Sequence, residues 1–240
     1  MIIKHSISYT SLGEAPTPPE ALMQYKEKPE AHLNSGSKDF NSLKEFCADH
    51  FDLTSRKRIL DFGCSNARVT RWHDTTNTEV WGCDIQQDKI VWAKENLGNK
   101  IKFLANTDYP HLPFEDNYFD FIYAHSVFTH LDKYHQAWLL ELIRITKSYL
   151  MLTVHDEETM DLVKTPRSAM LRKNFFKDFP ENGVDSSIGF FAANSYNSLQ
   201  SQVYMTHEYI NSLLPNNVKI IKTKPRVFAD LQTGIMLLKS

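Results

Sequence analysis

Residues 58–71 read RILDFGCSNARVTR, and this stretch decides the fold. Residues 59–62 form a short, mostly apolar run, which predicts a buried strand. Small residues follow at 63–67 and predict a tight turn, and the sequence after them predicts a helix over 67–73. A strand, a tight turn and a helix in succession form the repeating unit of a parallel α/β sheet.

The same alternation continues on the C-terminal side of this unit. Further strands are predicted at 79–84, 101–104, 119–124 and 149–154, and helices at 86–96 and 132–146. A helix at 206–214 then precedes two strands, 218–223 and 231–239, which are too close for a crossover helix and should pair antiparallel. The prediction is a doubly wound α/β fold, with a seven-stranded sheet whose last strand is antiparallel.

Two segments lie outside the alternation. Residues 1–55 have four prolines between positions 16 and 29, and predict an irregular arm with an amphipathic helix over 37–50. Residues 155–205 have no clean period, and we interpret them as an insertion over the carboxyl edge of the sheet. The predicted organisation is an N-terminal arm or cap at 1–55 and one domain at 56–240. Within that domain, the insertion forms a lid or substrate wall, or a surface elaboration without a role.

The composition argues against several classes of protein. The 240 residues carry a formal net charge of −2 and no dense run of lysine and arginine, so nucleic-acid binding is not predicted. Three cysteines without a C-x-x-C motif predict neither a disulfide framework nor a metal site, and they suit the reducing cytoplasm. No apolar run reaches about 18 residues, so we expect no membrane span. The segment MIIKHSISYT lacks the pattern of a signal peptide.

The residues at the predicted strand ends suggest a ligand site. In an open α/β sheet, ligands bind outside the carboxyl ends of the strands. Gly63 allows a tight turn after the first strand. Asp84 ends the second strand 21 positions later, where a carboxylate accepts hydrogen bonds from a ribose diol. Taken alone, the turn at Gly63 also fits a turn without a ligand, and Asp84 also fits a helix cap. Together, at this spacing, they favour the binding of an adenosine ligand.

The number of glycines bears on which adenosine ligand binds. A dinucleotide pyrophosphate needs three glycines for close approach, whereas this turn has one, with Ser65 and Ala67 nearby. A smaller anion, such as an amino-acid carboxylate, tolerates these side chains better. The terminal antiparallel pair also departs from the six-stranded parallel sheet of dinucleotide-binding proteins.

Several motifs resemble those of class I S-adenosylmethionine-dependent methyltransferases, in the small-molecule subgroup with type 11 or type 12 domains. They are ILDFGCSNAR, VWGCDIQQDKIVWAKENL, LPFEDNYFDFIYAHSVFTHL and WLLELIRITKSYLMLTVHD, together with the terminal strand LQTGIMLLK. The resemblance implies a Rossmann-like fold with S-adenosylmethionine as cofactor. It also implies methylation of a small molecule, such as a sugar, a glycan precursor or a natural-product intermediate, with oxygen as the expected acceptor atom.

The resemblance assigns roles to individual positions. Asp84 would hold the ribose, Ile85 would pack on adenine, and His125 would line the methyl-transfer site. The full set of implied cofactor residues is Asp61, Gly63, Cys64, Ser65, Asp84, Ile85, Asn106, Thr107, Asp108 and His125.

Two positions depart from the pattern of that family. The motif G-x-G-x-G reads G-x-S-x-A here, at Gly63, Ser65 and Ala67, and a serine with positive φ would be strained by about 1 kcal/mol or more. The Pro-Gly-Gly turn before the fifth strand is replaced by Lys147 and Ser148, where we expect altered geometry without loss of chemistry.

Methylation of oxygen usually needs a base near neutral pH, and histidine has a suitable pKa. His125 and His155 follow the fourth and fifth predicted strands, so we expect one of them to be the catalytic base. His130 and His207 are interpreted as packing or capping residues. A metal site built from histidines is not favoured, because no acidic partner has a suitable spacing.

Two other functions fit parts of the pattern. A methyltransferase-like scaffold without catalysis would account for the replaced glycines and predicts weak or absent cofactor binding. An NAD(P)-dependent oxidoreductase is opposed by the missing third glycine and by the terminal strand pair.

Overall fold

The computed structural model describes residues 15–23, 28–55, 57–164, 176–180, 183–185, 187–193 and 201–240. The strands in chain order are β1 (Arg58–Phe62), β2 (Glu79–Asp84), β3 (Lys102–Ala105), β4 (Phe119–Ala124), β5 (Thr146–Val154), β6 (Phe190–Ala193), β7 (Gln202–Met205), β8 (Val218–Phe228) and β9 (Gln232–Lys239). The α-helices are α1 (Pro29–Cys47), α2 (Gln87–Leu97), α3 (His135–Ile145), α4 (Glu157–Val163) and α5 (His207–Ser212). Within these residues, no helix is both long and apolar enough to span a membrane.

Seven strands form one sheet in the order β3-β2-β1-β4-β5-β9-β8. The five strands from β1 to β5 run parallel, and β9 lies between β5 and β8 and is antiparallel to both. The doubly wound, Rossmann-like sheet with an antiparallel last strand is therefore confirmed. Because the chain order reverses between β1 and β4, the carboxyl ends of these two strands border the crevice in which such folds bind ligands.

Buried side chains fill both faces of the sheet. On one face, α3 supplies Trp138, Leu139 and Leu142 to a cluster that includes Phe62 of β1. On the other face, Phe46 of α1 packs in a cluster with residues of β1, β4 and β9. These two layers hold the carboxyl ends of the parallel strands in fixed positions.

The helix predicted over 67–73 is wrong. Residues 65–69 form turns, and only a 3₁₀ helix at Thr70–Trp72 follows. Ser65 and Ala67 both have positive φ values, 52° and 62°, which an α-helix cannot contain. The fully buried Arg71 donates from its guanidinium to the backbone carbonyls of Ala15 and Pro16, so the N-terminal arm holds this segment in its irregular path.

Two helix boundaries also differ from the prediction. The first helix begins at Pro29 rather than near residue 37, because proline suits the first helical position. The helix predicted from residue 132 begins at His135, because Tyr134 before it has a φ of 57°. At its other end α3 passes directly into β5, so that Lys147 and Ser148 lie in the strand rather than in a turn.

The described parts of the segment 155–205 contain α4 and the antiparallel pair β6–β7. This pair forms a separate two-stranded sheet. It is joined to the main body where the Met205 N–H donates to the His155 carbonyl at the end of β5, at 2.9 Å. The insertion therefore stands over the carboxyl end of β5.

Candidate cofactor and active site

A cleft of about 620 Å³ opens at the carboxyl ends of β1, β2 and β4. It is bordered by the turn after β1, by the segments that follow β2, β3 and β4, and by Ala21 and Met23 of the N-terminal arm. Of the cofactor residues named from the sequence, those that line it are Gly63, Ser65, Asp84, Ile85, Asn106, Thr107, Asp108 and His125. The fold thus brings together eight positions that are spread over 63 residues of sequence.

Gly63 lies at the tightest point of the turn after β1. Its φ is 81°, and a Cβ atom built at this position would lie 2.2 Å from the Cγ2 atom of Val127. The backbone N–H groups of Gly63 and Cys64 both donate to the carbonyl of Cys83 in β2, at 2.8 and 2.9 Å. Glycine is required here both by the backbone conformation and by the space available.

Asp84 connects this turn to the end of β2. Its Oδ2 accepts a hydrogen bond from the Ser65 N–H at 2.7 Å, and its Oδ1 accepts one from the Gln86 N–H at 2.8 Å. Asp84 is buried yet lines the cleft. A carboxylate has about four acceptor sites, so two amide donors leave acceptor capacity for a ligand diol.

The side chain of Ser65 has a structural partner. Its Oγ accepts a hydrogen bond from the buried Lys89 ammonium at 3.1 Å. Burial lowers the pKa of Lys89, whereas the nearby Asp84 and Asp88 act to raise it. Ser65 therefore keeps a left-handed backbone conformation, and its hydroxyl helps to satisfy a buried amine.

We expect Ser65→Gly to leave S-adenosylhomocysteine affinity unchanged or slightly improved, and to raise the free energy of unfolding by up to about 1 kcal/mol. Glycine removes the strain of a positive φ at a side-chain-bearing residue, which is about 1–2 kcal/mol, but the Lys89 hydrogen bond is lost. Calorimetry and chemical denaturation measure the two quantities.

Ala229→Gly is the matched control for this substitution. Ala229 has a similar φ of 52°, but it is exposed and does not line the cleft, so this variant reports the relief of strain alone. A tenfold loss of ligand affinity in Ser65→Gly, absent in the control, would show that the ligand uses the serine hydroxyl.

Two residues that follow β2 and β3 offer groups that suit a purine ring. Ile85 follows Asp84 and is 40% exposed, which offers an apolar surface. The Asn106 Nδ2 donates to the Thr107 carbonyl at 2.9 Å, whereas the buried Oδ1 of Asn106 has no hydrogen-bond partner in the described part of the chain. A buried amide oxygen without a partner is costly, and an exocyclic amino group would supply the missing donor.

Asp61, in β1, and Cys64, within the turn, do not line the cleft. The Thr70 hydroxyl donates to the Asp61 Oδ2 at 2.6 Å, and the Tyr123 hydroxyl lies in the same buried group, 3.1 Å from the His73 Nε2. Burial raises the pKa of Asp61 to about 7, although the hydrogen bonds from Thr70 and Tyr123 act to lower it. Burial also raises the pKa of the Cys64 thiol. Both side chains are buried inside the protein rather than exposed to the cleft.

The two histidines named as candidate bases lie in different places. His125 lines the cleft, with its ring centroid 3.9 Å from that of Phe228, and burial lowers its pKa to about 4. His155 does not line the cleft, and its buried ring packs edge-on against Phe176 at 4.9 Å between centroids. Burial lowers the pKa of His155 to about 3.

His130 also lines the cleft, although the sequence suggested only a packing or capping role. Its Nδ1 lies 2.7 Å from the carbonyl oxygen of Ser201, which is 71 residues further along the chain. The available sequence signal was its position five residues after His125 in the segment that follows β4. That signal does not reveal the contact with Ser201.

His207 lies outside the cleft, near the start of α4. Its Nε2 is 2.8 Å from the Oδ2 of Asp156, which is the N-cap of α4 and fully buried. With Glu157, these side chains form a group whose ligand atoms lie within 4.8 Å of one another. The bond to His207 and the hydrogen bonds from Thr159 account for the placement of the Asp156 side chain.

The segment that supplies most of the residues lining the cleft is also the one that a family model matches. Residues 60–150 match the model described as a methyltransferase domain. The chain carries a methyltransferase domain. The match includes the Gly63 turn, Asp84, Asn106 and both histidines of the segment after β4. No curated protein sequence matches the chain.

Several solved structures with the same fold are methyltransferases whose sequence identity to this chain is low. One is a SAM-dependent methyltransferase from Aquifex aeolicus, with 16% identity over 89% of this chain and 100% of that chain and a TM-score of 0.54. Another is the magnesium protoporphyrin IX methyltransferase ChlM from Synechocystis PCC 6803 with bound SAH, with 16% identity over 88% and 87% of the two chains and a TM-score of 0.56.

A SAM-dependent methyltransferase from Methanosarcina mazei has 19% identity, coverage of 80% of this chain and 95% of that chain, and a TM-score of 0.53. At these identities the structural matches establish the fold. The domain match confirms the predicted class of enzyme, an S-adenosylmethionine-dependent methyltransferase.

Proposed function

We propose that this protein transfers a methyl group from S-adenosylmethionine to an oxygen atom of a small molecule, such as a sugar, a glycan precursor or a natural-product intermediate. The observation that carries the proposal is Asp84, whose carboxylate lines the cleft while it binds the amides of Ser65 and Gln86. Such a carboxylate at the end of the second strand is the ribose ligand of adenosine-binding α/β proteins.

The residues of the cleft fit this cofactor. Asp84 would bind the ribose, and the adenine would lie on Ile85 with its amino group near the Asn106 Oδ1. The Gly63 turn would face the methionine portion, beside His125. When bound, the cofactor supplies a methyl group that its positively charged sulfur already activates.

The charges of the cleft also suit this cofactor. Carboxylates of Asp84, Asp88, Asp108 and Asp132 line it, against the ammonium groups of Lys89 and Lys133. This excess of negative charge favours a ligand with a positively charged sulfur over its uncharged thioether product. It disfavours the pyrophosphate of a dinucleotide, which would meet the acidic side chains without a compensating arginine.

The remaining part of the cleft would receive the acceptor. Val127, Leu131 and Trp138 provide apolar walls, and His125 and His130 provide imidazole groups. Small-molecule sites combine mostly apolar walls with a few convergent polar groups. Of the two bases named from the sequence, only His125 lies at this site, so the proton acceptor is to be found among the histidines of the cleft.

Calorimetric titration of the purified protein with S-adenosylhomocysteine tests this function, with NAD as the control ligand. We expect micromolar binding of S-adenosylhomocysteine and no binding of NAD. No binding from folded protein would favour a scaffold without catalysis, in which Ser65 and Ala67 close the site. Binding of NAD instead would mean that S-adenosylmethionine is not the cofactor of this protein.

A further inference from the structure

We propose that His130 is the catalytic base that accepts the proton of the acceptor hydroxyl, and that the insertion fixes the tautomer of His130 through the carbonyl of Ser201. The inference rests on the proposed function, because it concerns the same cleft. It assigns to His130 a role that the sequence pattern did not indicate, and it gives the insertion a function in catalysis.

The contact of the Nδ1 atom determines which nitrogen of His130 can act as a base. The Ser201 carbonyl oxygen, 2.7 Å from Nδ1, can only accept a hydrogen bond. Nδ1 must therefore carry the proton. The Gln202 amide nitrogen lies 3.5 Å from the same atom, a longer contact that does not compete. In the neutral ring, Nε2 is therefore the unprotonated nitrogen. It lies on the side of the ring away from Ser201, which can face the cleft.

The Ser201 carbonyl is held in place by the strand that follows it. Val203, the second residue of β7, donates its N–H to the Thr129 carbonyl at 2.9 Å, and Met205 donates its N–H to the His155 carbonyl at 2.9 Å. The insertion is thus hydrogen-bonded to the residue before His130 and to the end of β5. Its position decides whether the Ser201 carbonyl reaches the imidazole.

The other histidines near this region lack one part of this arrangement. His125 lines the cleft, but its ring lies on Phe228, and no hydrogen bond to another described residue selects one of its tautomers. His155 does not line the cleft, and its Nδ1 is buried without a partner among the described residues. His130 combines access to the cleft with a fixed tautomer.

His130 is in the correct protonation state for this role at neutral pH. Burial lowers its pKa, and the Ser201 carbonyl partly opposes this effect. The ring is therefore neutral at pH 7 and available to take up a proton. As the acceptor oxygen forms its bond to the methyl carbon, its O–H proton passes to Nε2. The electron pair of the broken carbon–sulfur bond stays on sulfur, which leaves a neutral thioether, a methyl ether and an imidazolium ion.

The first test is the tautomer of His130, measured by long-range ¹H–¹⁵N NMR at pH 7 on the full chain. We expect a neutral ring protonated at Nδ1, with the Nε2 resonance displaced when S-adenosylhomocysteine is added. The exposed His50, which does not line the cleft, should show no displacement. The inference would be overturned by a ring protonated at Nε2, or by an Nε2 chemical shift that does not change when the ligand is added.

The second test is the rate of methyl transfer in His130→Asn. With S-adenosylmethionine and the best acceptor from a panel of sugars, phenols and hydroxy acids, we expect kcat to fall about 100- to 10,000-fold. The affinity for S-adenosylhomocysteine should stay within about twofold, which shows that the variant is folded. His50→Asn is the matched control and should keep its kcat. A kcat within threefold of wild type in His130→Asn would exclude His130 as the base.

These results are separate from those that test the function itself. Failure of the wild-type protein to bind S-adenosylhomocysteine contradicts the proposed function. Normal binding with the wrong tautomer, or with an unaffected kcat in His130→Asn, contradicts only the assignment of His130.

Discussion

Replacement of Asp84 by alanine is expected to weaken S-adenosylhomocysteine binding at least tenfold, which is about 1.4 kcal/mol. The substitution removes the proposed acceptor for the ribose hydroxyls. It also leaves the Ser65 and Gln86 amides without the carboxylate that orders them, so the turn after β1 loses its connection to β2. Calorimetric titration of the variant measures the effect.

Two further variants sharpen this test. Asp84→Asn keeps the shape of the side chain and one acceptor oxygen, so its affinity should lie between those of wild type and alanine. Asp49→Ala removes a carboxylate that is 73% exposed and does not line the cleft, and it should bind as the wild type does. An unchanged affinity in Asp84→Ala would contradict the ribose assignment.

Asp156→Ala is expected to lower the free energy of unfolding by about 2–4 kcal/mol. Asp156 is fully buried, accepts a hydrogen bond from the Thr159 N–H at 3.1 Å as the cap of α4, and pairs with His207 at 2.8 Å. Alanine loses both the cap and the pair. Chemical denaturation measures the change, and Asp161→Ala, at an exposed position of the same helix, should change stability by less than about 0.5 kcal/mol.

The pH dependence of this pair gives an independent check. The hydrogen bond from His207 lowers the pKa of Asp156 against the opposing effect of burial, and the same bond raises the pKa of His207. The stability from Asp156 is present above about pH 4 and is lost as the pH falls through its lowered pKa. The stability from His207 is complete below about pH 6.5 and is lost as the pH rises through its raised pKa.

The stability difference between wild type and His207→Asn should therefore shrink as the pH rises from 6 to 9. His111→Asn serves as the control, because the His111 side chain is 63% exposed and its contact with Glu141 is long, at 3.6 Å. A difference that stays constant over this range would mean that the charge of His207 adds nothing to its pairing with Asp156.

The strands of the sheet could be predicted closely, because each is marked by a run of apolar residues within its own segment of sequence. Residues 79–84 and 119–124 are strands with the predicted bounds, since continuous apolar runs mark strands that are buried on both faces. The absence of an α-helix after β1 could not be predicted, because it depends on contacts with the N-terminal arm. Arg71 bonds to carbonyls more than 50 residues away, and such contacts override local preference.

The cofactor half of the site could be predicted better than the catalytic half. Asp84 and Asn106 follow strand ends, so the topology alone places them in the cleft. Asp61 also belongs to a strand, but its side chain turns inward to Thr70, which spacing does not reveal. The surroundings of His130 and His155 depend on how the insertion folds back, and this segment has no period from which its path could be read.

The bond between Asp156 and His207 joins two positions that are 51 residues apart and that flank most of the insertion. Because this bond ties the two ends of the segment together, we expect added length between them to have little influence on stability, as long as Val203 and Met205 keep their places in the main core. Doubling such a loop costs only about 0.6 kcal/mol in closure entropy. During evolution, or in engineering, we expect changes in the length of this segment to alter acceptor choice, provided that Ser201, just before its last strand, still presents its carbonyl to His130.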